Sequence, residues 1–234
     1  SADREDKVKQ EKSPELLNQL TGSFASGLNP EQMRAAAWSG SHALVLAGAG
    51  CGKTKTIIAR AQYLIENISS PERLQILTFT RRSASEIIER VKSSLGNKAQ
   101  GLKASTFHTW CMSLIRRAPD LFGCENCSVI DRDDQLTVFR LLRASSPEAK
   151  NALLPKAGDL CDLYSFARNT RKSLRVTLEL RHPESLEIFD SIAKIVTSYE
   201  DRKESRNYLD YDDILDIVAK QISQQDAVRK WVSS

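Results

Sequence analysis

The sequence predicts an α/β protein with a parallel sheet near the front of the chain and a mostly helical segment inserted behind it. Three observations carry that prediction. Short apolar runs alternate with helix-period segments between residues 41 and 107. A glycine-rich turn joins the first of those runs to a helix. From Cys111 to Tyr199 the apolar spacing is helical, apart from a brief strand-like run at Cys127–Ile130.

In chain order, residues 1–27 mix charges without strong periodicity and read as a leader, frayed or briefly helical. Asn29-Pro30-Glu31 opens a helix, with Asn as N-cap and Pro at the first helical position, running to about Trp38 and ending at Gly40. Ala43-Leu44-Val45-Leu46 reads as a strand, and a helix follows from Lys53 to about Glu66, with Ile57, Ile58, Ala61, Leu64 and Ile65 on one face. Leu74–Phe79 reads as a second strand, so strand, helix and strand form a parallel, right-handed crossover. A helix over Ser83–Leu95 and a strand over Ala104–Phe107 repeat the unit. Behind them, Pro119, Gly123, Pro147, Pro155, Gly158 and Pro183 punctuate the helical segment.

A chain of 234 residues suits one medium domain or two small ones. Its 41% apolar and 27% charged residues argue against wholesale disorder. No run approaches the about 18 apolar residues of a membrane span, and the charged start lacks a signal-peptide core. Five cysteines do not make a disulfide framework and point to a reducing, intracellular setting. Cys124-Glu125-Asn126-Cys127 has the C-x₂-C spacing of half a zinc site, but no second close ligand pair accompanies it. The net charge of +4 is too small to imply nucleic acid. Local clusters say more: eight basic residues stand against Glu86 and Glu89 between Arg81 and Arg117. Five more stand against Glu179 over residues 168–181. Solvated helix faces and a phosphate-backbone footprint both fit them.

The strongest motif is Ala47-Gly48-Ala49-Gly50-Cys51-Gly52-Lys53-Thr54 between predicted strand and helix. Glycines let the backbone wrap phosphate oxygens with its N–H groups, and the helix N-terminus adds its positive dipole end. In such a loop the lysine, here Lys53, reaches the β/γ-phosphates and the hydroxyl, here Thr54, sits on Mg²⁺. This combination predicts binding of a nucleoside triphosphate.

Around this loop lie Leu28-Asn29-Pro30-Glu31-Gln32, Leu77-Thr78-Phe79-Thr80-Arg81-Arg82-Ser83-Ala84 and Ser105-Thr106-Phe107-His108-Thr109. Further on are Phe122-Gly123, Ser128–Asp131, Asp134-Gln135-Leu136 and Leu209-Asp210-Tyr211-Asp212-Asp213-Ile214. In order and spacing the chain resembles superfamily 1 DNA helicases of the UvrD/Rep/PcrA type from about Leu28 to Lys220. The resemblance implies a RecA-like ATP-binding domain over 28–110 and 210–234, incomplete, with 111–209 as a helical subdomain lying over DNA. It implies ATP and Mg²⁺ as cofactors, and single-stranded DNA and single/double-strand junctions as partners in repair and replication. Translocation would run 3′ to 5′. The protein would be intracellular, in the nucleoid-bearing cytoplasm if bacterial, with no membrane partner, and this chain would be a monomeric fragment.

The resemblance also assigns roles. Gln32 corresponds to an adenine-selecting glutamine, whose amide can pair two hydrogen bonds with a base edge; an exposed polar residue on a first helical turn is the plainer reading. Lys55 stands where a base-stacking arginine is usual, and it lacks the planar guanidinium. Cys51 replaces a serine. Phe79, Thr80 and Arg81, then Thr106, Phe107 and His108, correspond to segments that meet single-stranded DNA. Aromatic faces stack on bases there, while hydroxyl and cationic groups hold phosphates. Phe79 also fits a core position at a strand end, His108 a turn hydrogen bond, and Trp110 the core.

An ATPase of this type uses an Asp-Glu pair at the end of an apolar strand, and this sequence contains no Asp-Glu dipeptide. Asp131 with Asp134 reads as a helix cap, and Asp210–Asp213 as structural or solvated acids. The resemblance therefore implies an N-terminal part that stops short of that strand and of the second motor domain, inactive by itself. Three other readings stay open. A small-molecule or nucleotide kinase shares the loop but not the flanking series. A stand-alone ATP- or DNA-binding module needs no acidic strand. A helicase–nuclease of the RecB type would carry its nuclease elsewhere.

Overall fold

The computed structural model describes Ala25 and residues 27–233; the expected leader, residues 1–27, lies outside the described residues except for Ala25 and Gly27. Two compact units divide the chain, the first closing at Phe107 and the second beginning at His108.

In the first unit, helix α1 (Pro30–Ala36) starts where the sequence places it. The Asn29 carboxamide accepts from the Gln32 N–H at 2.8 Å while the Asn29 N–H donates to Gln32 Oε1 at 3.0 Å, a reciprocal cap. Helix α2 (Lys53–Asn67) packs on it through Ala36, Ala37, Ala59 and Tyr63, the alanines allowing close approach. Arg60 on α2 donates to the Ala36 carbonyl at 2.9 Å and to the Trp38 carbonyl, pinning the open end of α1.

Strands β1 (Gln75–Thr78) and β2 (Lys103–Thr106) pair in parallel, Gln75 opposite Lys103 and Thr78 opposite Thr106. Helix α3 (Arg81–Leu95) makes the crossover and packs Ile87, Val91 and Leu95 against Ile58 and Ala61 of α2. One parallel strand–helix–strand unit is therefore present.

The expected strand at Ala43–Leu46 is not formed. The segment has no ladder partner among the described residues, and Leu44 and Leu46 are 85% and 86% exposed. Apolar content marks a segment that can join a sheet, but a strand exists only where a second backbone meets its donors and acceptors. The sheet is thus β1–β2 alone, and the first predicted crossover lacks its leading strand.

In the second unit, α4 (Phe107–Arg117), the α9 helix (Tyr211–Gln224) and α10 (Asp226–Ser233) share one core of Cys111, Leu114, Phe122, Ile214, Val218 and Val228. Trp110 packs at its edge, as a core residue should. A second core holds α5 (Arg132–Ser145), α6 (Ala157–Thr170), α7 (Leu174–Arg181) and α8 (Phe189–Ser205) together. At its centre Phe139 stacks on Tyr199, ring centroids 4.4 Å apart, with Tyr164 edge-on to Tyr199. Two-residue strands β3 (Ser128–Val129) and β4 (Tyr208–Leu209) pair in parallel. The helical segment 130–207 therefore leaves and returns through adjacent strands.

One buried ion cluster ties α8 to α9. Lys203 is 7% exposed and its ammonium donates to Asp210 Oδ2 at 2.7 Å, Asp213 Oδ2 at 2.6 Å and the Tyr164 hydroxyl at 2.8 Å. Tyr199 donates to the same Asp210 oxygen at 2.9 Å. Asp210 is also the N-cap of α9 in a reciprocal cap with Asp213. Burial alone would lower the Lys203 pKa, but the two carboxylates hold it above its ordinary value. The same contacts hold Asp210 below the usual carboxylate range against its own burial.

Replacing Lys203 with alanine strands two carboxylates in a buried site. Urea denaturation should show a loss of about 3–5 kcal/mol, against less than about 0.5 kcal/mol for Lys194→Ala on the exposed face of α8. A lysine raised in the folded state contributes fully below its ordinary value of 10.5. The wild-type advantage should therefore hold at neutral pH and disappear only as pH climbs past that value and through the raised one.

Candidate functional site

The phosphate loop occupies residues 47–54, between the exposed segment and α2. Gly50 and Gly52 take left-handed backbone angles, φ +76° and +75°, and Gly52 is the N-cap of α2 without any side-chain cap. Among the described residues, no N–H of residues 48–53 donates to another backbone group. The loop thus presents donors at the positive end of a four-turn helix, the chemistry that holds an anion.

Four of its carbonyls, in contrast, are taken. Lys53 Nζ donates to the Gly48 and Ala47 carbonyls at 2.6 and 3.2 Å, and Gln32 Nε2 donates to the Cys51 carbonyl at 3.0 Å. The Thr56 hydroxyl donates to the Gly52 carbonyl at 3.2 Å. With carbonyl oxygens held by side chains, the loop is shaped while its N–H groups stay available. Thr54 is exposed at the second position of α2, and Ala49 and Cys51 are exposed on the loop. The loop forms one end of a cavity of about 880 Å³, lined also by Gln32, Trp38, Leu46, Ile57 and Arg60. These residues fit a polyphosphate chain: ammonium, hydroxyl and unpaired N–H groups stand together at one helix start.

Gln32 is therefore more than an exposed polar residue. Its oxygen serves the α1 cap and its nitrogen serves the loop, so the amide links helix and loop. The Lys55 ammonium donates to the Gly27 carbonyl.

The second set of predicted residues begins where β1 meets α3. Thr80 is the N-cap of α3, its hydroxyl accepting from the Ser83 N–H at 3.1 Å, and the Thr78 hydroxyl donates to the Thr80 carbonyl at 2.9 Å. This turn thrusts Phe79 outward to 93% exposure, so it is not a core residue. Its ring lies 5.8 Å from that of Phe107, itself 41% exposed at the end of β2. The two aromatics form an open pair at the carboxyl ends of the parallel strands, with Arg81 exposed beside Phe79 in the chain. Thr106 closes β2 opposite Thr78. In the second unit, His108 lies against Tyr211, ring centroids 5.5 Å apart.

The acids are committed elsewhere. Asp131 caps α5, accepting from the Asp133 and Asp134 N–H groups at 2.9 Å each. Asp212 accepts from Ser165 at 2.6 Å and from Asn169 at 3.0 Å. Sequence reasoning missed the Lys203 partner of Asp210 and Asp213; a lysine on a helix carries no signal of burial until its carboxylates are seen beside it.

Fold and site together define a parallel strand–helix–strand unit with a glycine-rich loop of phosphate-binding type at a helix start and an exposed aromatic pair just past its strand ends. The chain belongs to the UvrD/REP helicase N-terminal domain family, whose family model matches residues 28–234. It is 33% identical over 198 residues to the ATP-dependent DNA helicase PcrA of Bacillus subtilis, covering 83% of this chain and 24% of that protein. The PcrA of Staphylococcus epidermidis is 31% identical over 196 residues, covering 82% of this chain and 26% of the relative. The PcrA of Staphylococcus aureus strain Mu50 is 29% identical over 191 residues, covering 80% and 25%. The chain therefore spans about a quarter of the length of the curated relatives it matches.

Gly52 offers a direct test of the loop geometry. A Cβ there would meet Gln32 Nε2 at 2.7 Å on a backbone at φ +75°. Gly52→Ala should lose about 1–2 kcal/mol in denaturant unfolding of the first unit. Gly158→Ala, where a Cβ meets nothing within 4 Å, should be neutral or gain up to about 1 kcal/mol inside its helix.

Proposed function

We propose that this chain is the ATP-binding part of an ATP-dependent DNA helicase that moves 3′ to 5′ along single-stranded DNA and opens duplex at junctions. The observation that carries this reading is the loop of residues 47–54, with four of its carbonyls occupied and its N–H groups open, in a chain of the UvrD/REP family. Lys53 and the loop N–H groups hold the phosphates, Thr54 supplies a hydroxyl to Mg²⁺, and Gln32 stands at the base end. ATP supplies the phosphoryl group whose loss drives movement; this chain's residues bind and orient it.

Phe79 and Phe107 give a base two aromatic faces, and Thr80, Arg81, Thr106 and His108 complete the DNA-side series. Residues 28–110 with 210–234 form the nucleotide-binding part and 111–209 the inserted subdomain. The pairing of β3 with β4 supports that division, because an insertion must return close to where it left. Among the described residues no Asp-Glu pair follows an apolar strand, and Asp131 and Asp210 are tied into helix caps, Asp210 into an ion pair as well. By itself the chain is a monomer that binds nucleotide without turning it over, as part of an intracellular helicase.

Two measurements check this reading. Fluorescent ATP titrated with Mg²⁺ should bind wild type and lose binding at least tenfold in Lys53→Ala, the loss of more than about 1.4 kcal/mol expected for one charged phosphate contact. Turnover stimulated by DNA would overturn the inactive assignment. Separately, Phe79→Ala should weaken binding of an oligothymidylate by about 5- to 150-fold, the equivalent of about 1–3 kcal/mol for one stacked base, and leave ATP binding unchanged. Equal affinity for DNA in both proteins would remove Phe79 from the interface.

A further inference from the structure

The C-x₂-C pair at Cys124 and Cys127 takes no part in the proposed helicase chemistry, yet the fold sets it up. The Cys127 N–H donates to the Cys124 carbonyl at 3.3 Å, closing a tight turn ahead of β3. A turn of that kind keeps its end Cα atoms within about 7 Å, the separation a disulfide spans. Both side chains belong to the core shared with Phe122, Ile214 and Trp231. Cys124 also donates from Sγ to the Phe122 carbonyl at 3.3 Å.

The two sulfurs differ in access. Cys124 is buried and Cys127 is half-buried. Burial, with the neighbouring thiol, pushes Cys124 up to about 11, so the buried member rests as a thiol. Zinc is the poorer reading, since no group of three or more His, Cys, Asp or Glu residues able to hold a metal occurs among the described residues.

We propose that Cys124 and Cys127 form a dithiol modification site that a low-molecular-weight disulfide converts into an intramolecular disulfide. The accessible Cys127 sulfur, as thiolate, attacks one sulfur of the reagent; a mixed disulfide forms and one thiol leaves. Cys124 gives its proton to solvent and attacks the Cys127 sulfur, forming the Cys124–Cys127 bond and expelling the second thiol. Two cysteine thiols are oxidised and one reagent disulfide is reduced to two thiols. The turn makes the second step intramolecular, which offsets the weak nucleophilicity of a buried thiol. The closed disulfide would staple the approach to β3 at the edge of the core that holds α4, α9 and α10.

The test uses the native full chain and oxidised glutathione. After exposure the protein is denatured with iodoacetamide, digested with trypsin and weighed. Ala118–Arg132 is a single tryptic peptide holding Cys124 and Cys127 and no other cysteine. The expected result is this peptide unalkylated and lighter by two hydrogens, returned to the doubly alkylated form when dithiothreitol precedes the alkylation. A peptide alkylated at both cysteines, in a sample where exposed Cys51 has reacted, overturns the proposal. So does linkage of either cysteine to Cys111. In Cys124→Ser the glutathione adduct should stay trapped on Cys127, and in Cys127→Ser no adduct should form on Cys124 in the same time. An adduct on Cys124 as fast as on Cys127 would overturn the assigned order of attack. The wild-type arm stands even if a variant folds poorly.

Discussion

A loop that is to bind phosphate must keep its N–H groups unpaired, yet unpaired backbone is the least stable kind. Everything in the first unit that bears on function follows from how this conflict is met. The chain satisfies four of the carbonyls instead, with Lys53 on Gly48 and Ala47, Gln32 on Cys51 and Thr56 on Gly52. Two left-handed glycines supply the curvature, and the start of α2 needs no side-chain cap because a bound anion can take that place. Lys53 serves twice. Its ammonium closes the loop on itself through the Gly48 and Ala47 carbonyls, and phosphate oxygens would compete with those carbonyls for it. Gln32 extends the hold to α1, so the first predicted helix is part of the site through one amide.

Much of this was legible because it rests on local rules. Asn29-Pro30 and Asp131 before α5 are caps that sequence states directly, and the structure uses each; Thr80 is a cap the sequence reading missed, and it starts α3 two residues ahead of the expected Ser83. The parallel pairing of residues 75–78 with 103–106 follows from apolar runs flanking one helix. The segment at Ala43–Leu46 shows where such rules end. Its composition suits a strand, but pairing is a property of two backbones, and among the described residues none lies beside it. Phe79 shows the same limit from the other side. Burial could not be read from an aromatic at a strand end; the Thr80 cap decides it, because the chain must turn there to enter α3.

The second unit obeys a different constraint. An ammonium at 7% exposure is tolerated only with full compensation, and Lys203 has two carboxylates and a tyrosine hydroxyl. The cluster ties the end of α8 to the start of α9, and β4, which pairs with β3, lies between those two helices in the chain. Asp210 and Asp213, which the sequence suggests are structural or solvated acids, have structural work here. Asp210 holds Lys203, accepts from Tyr199 and caps α9, so three of the about four acceptor sites of its carboxylate are taken.

These two constraints separate the jobs of the chain. Where the backbone is left unpaired, side chains are spent on carbonyls and the surface stays open, as at residues 47–54 and at the Phe79–Phe107 pair. Where charge is buried, as at Lys203, the ammonium's three donors are matched by two carboxylates and a tyrosine hydroxyl. An exposed aromatic pair on a turn held by Thr78, Thr80 and Ser83 suits the proposed partner, which has π-faces of its own. A nucleic-acid base has such faces and a phosphate at each step, and Arg81 begins α3 two residues from Phe79.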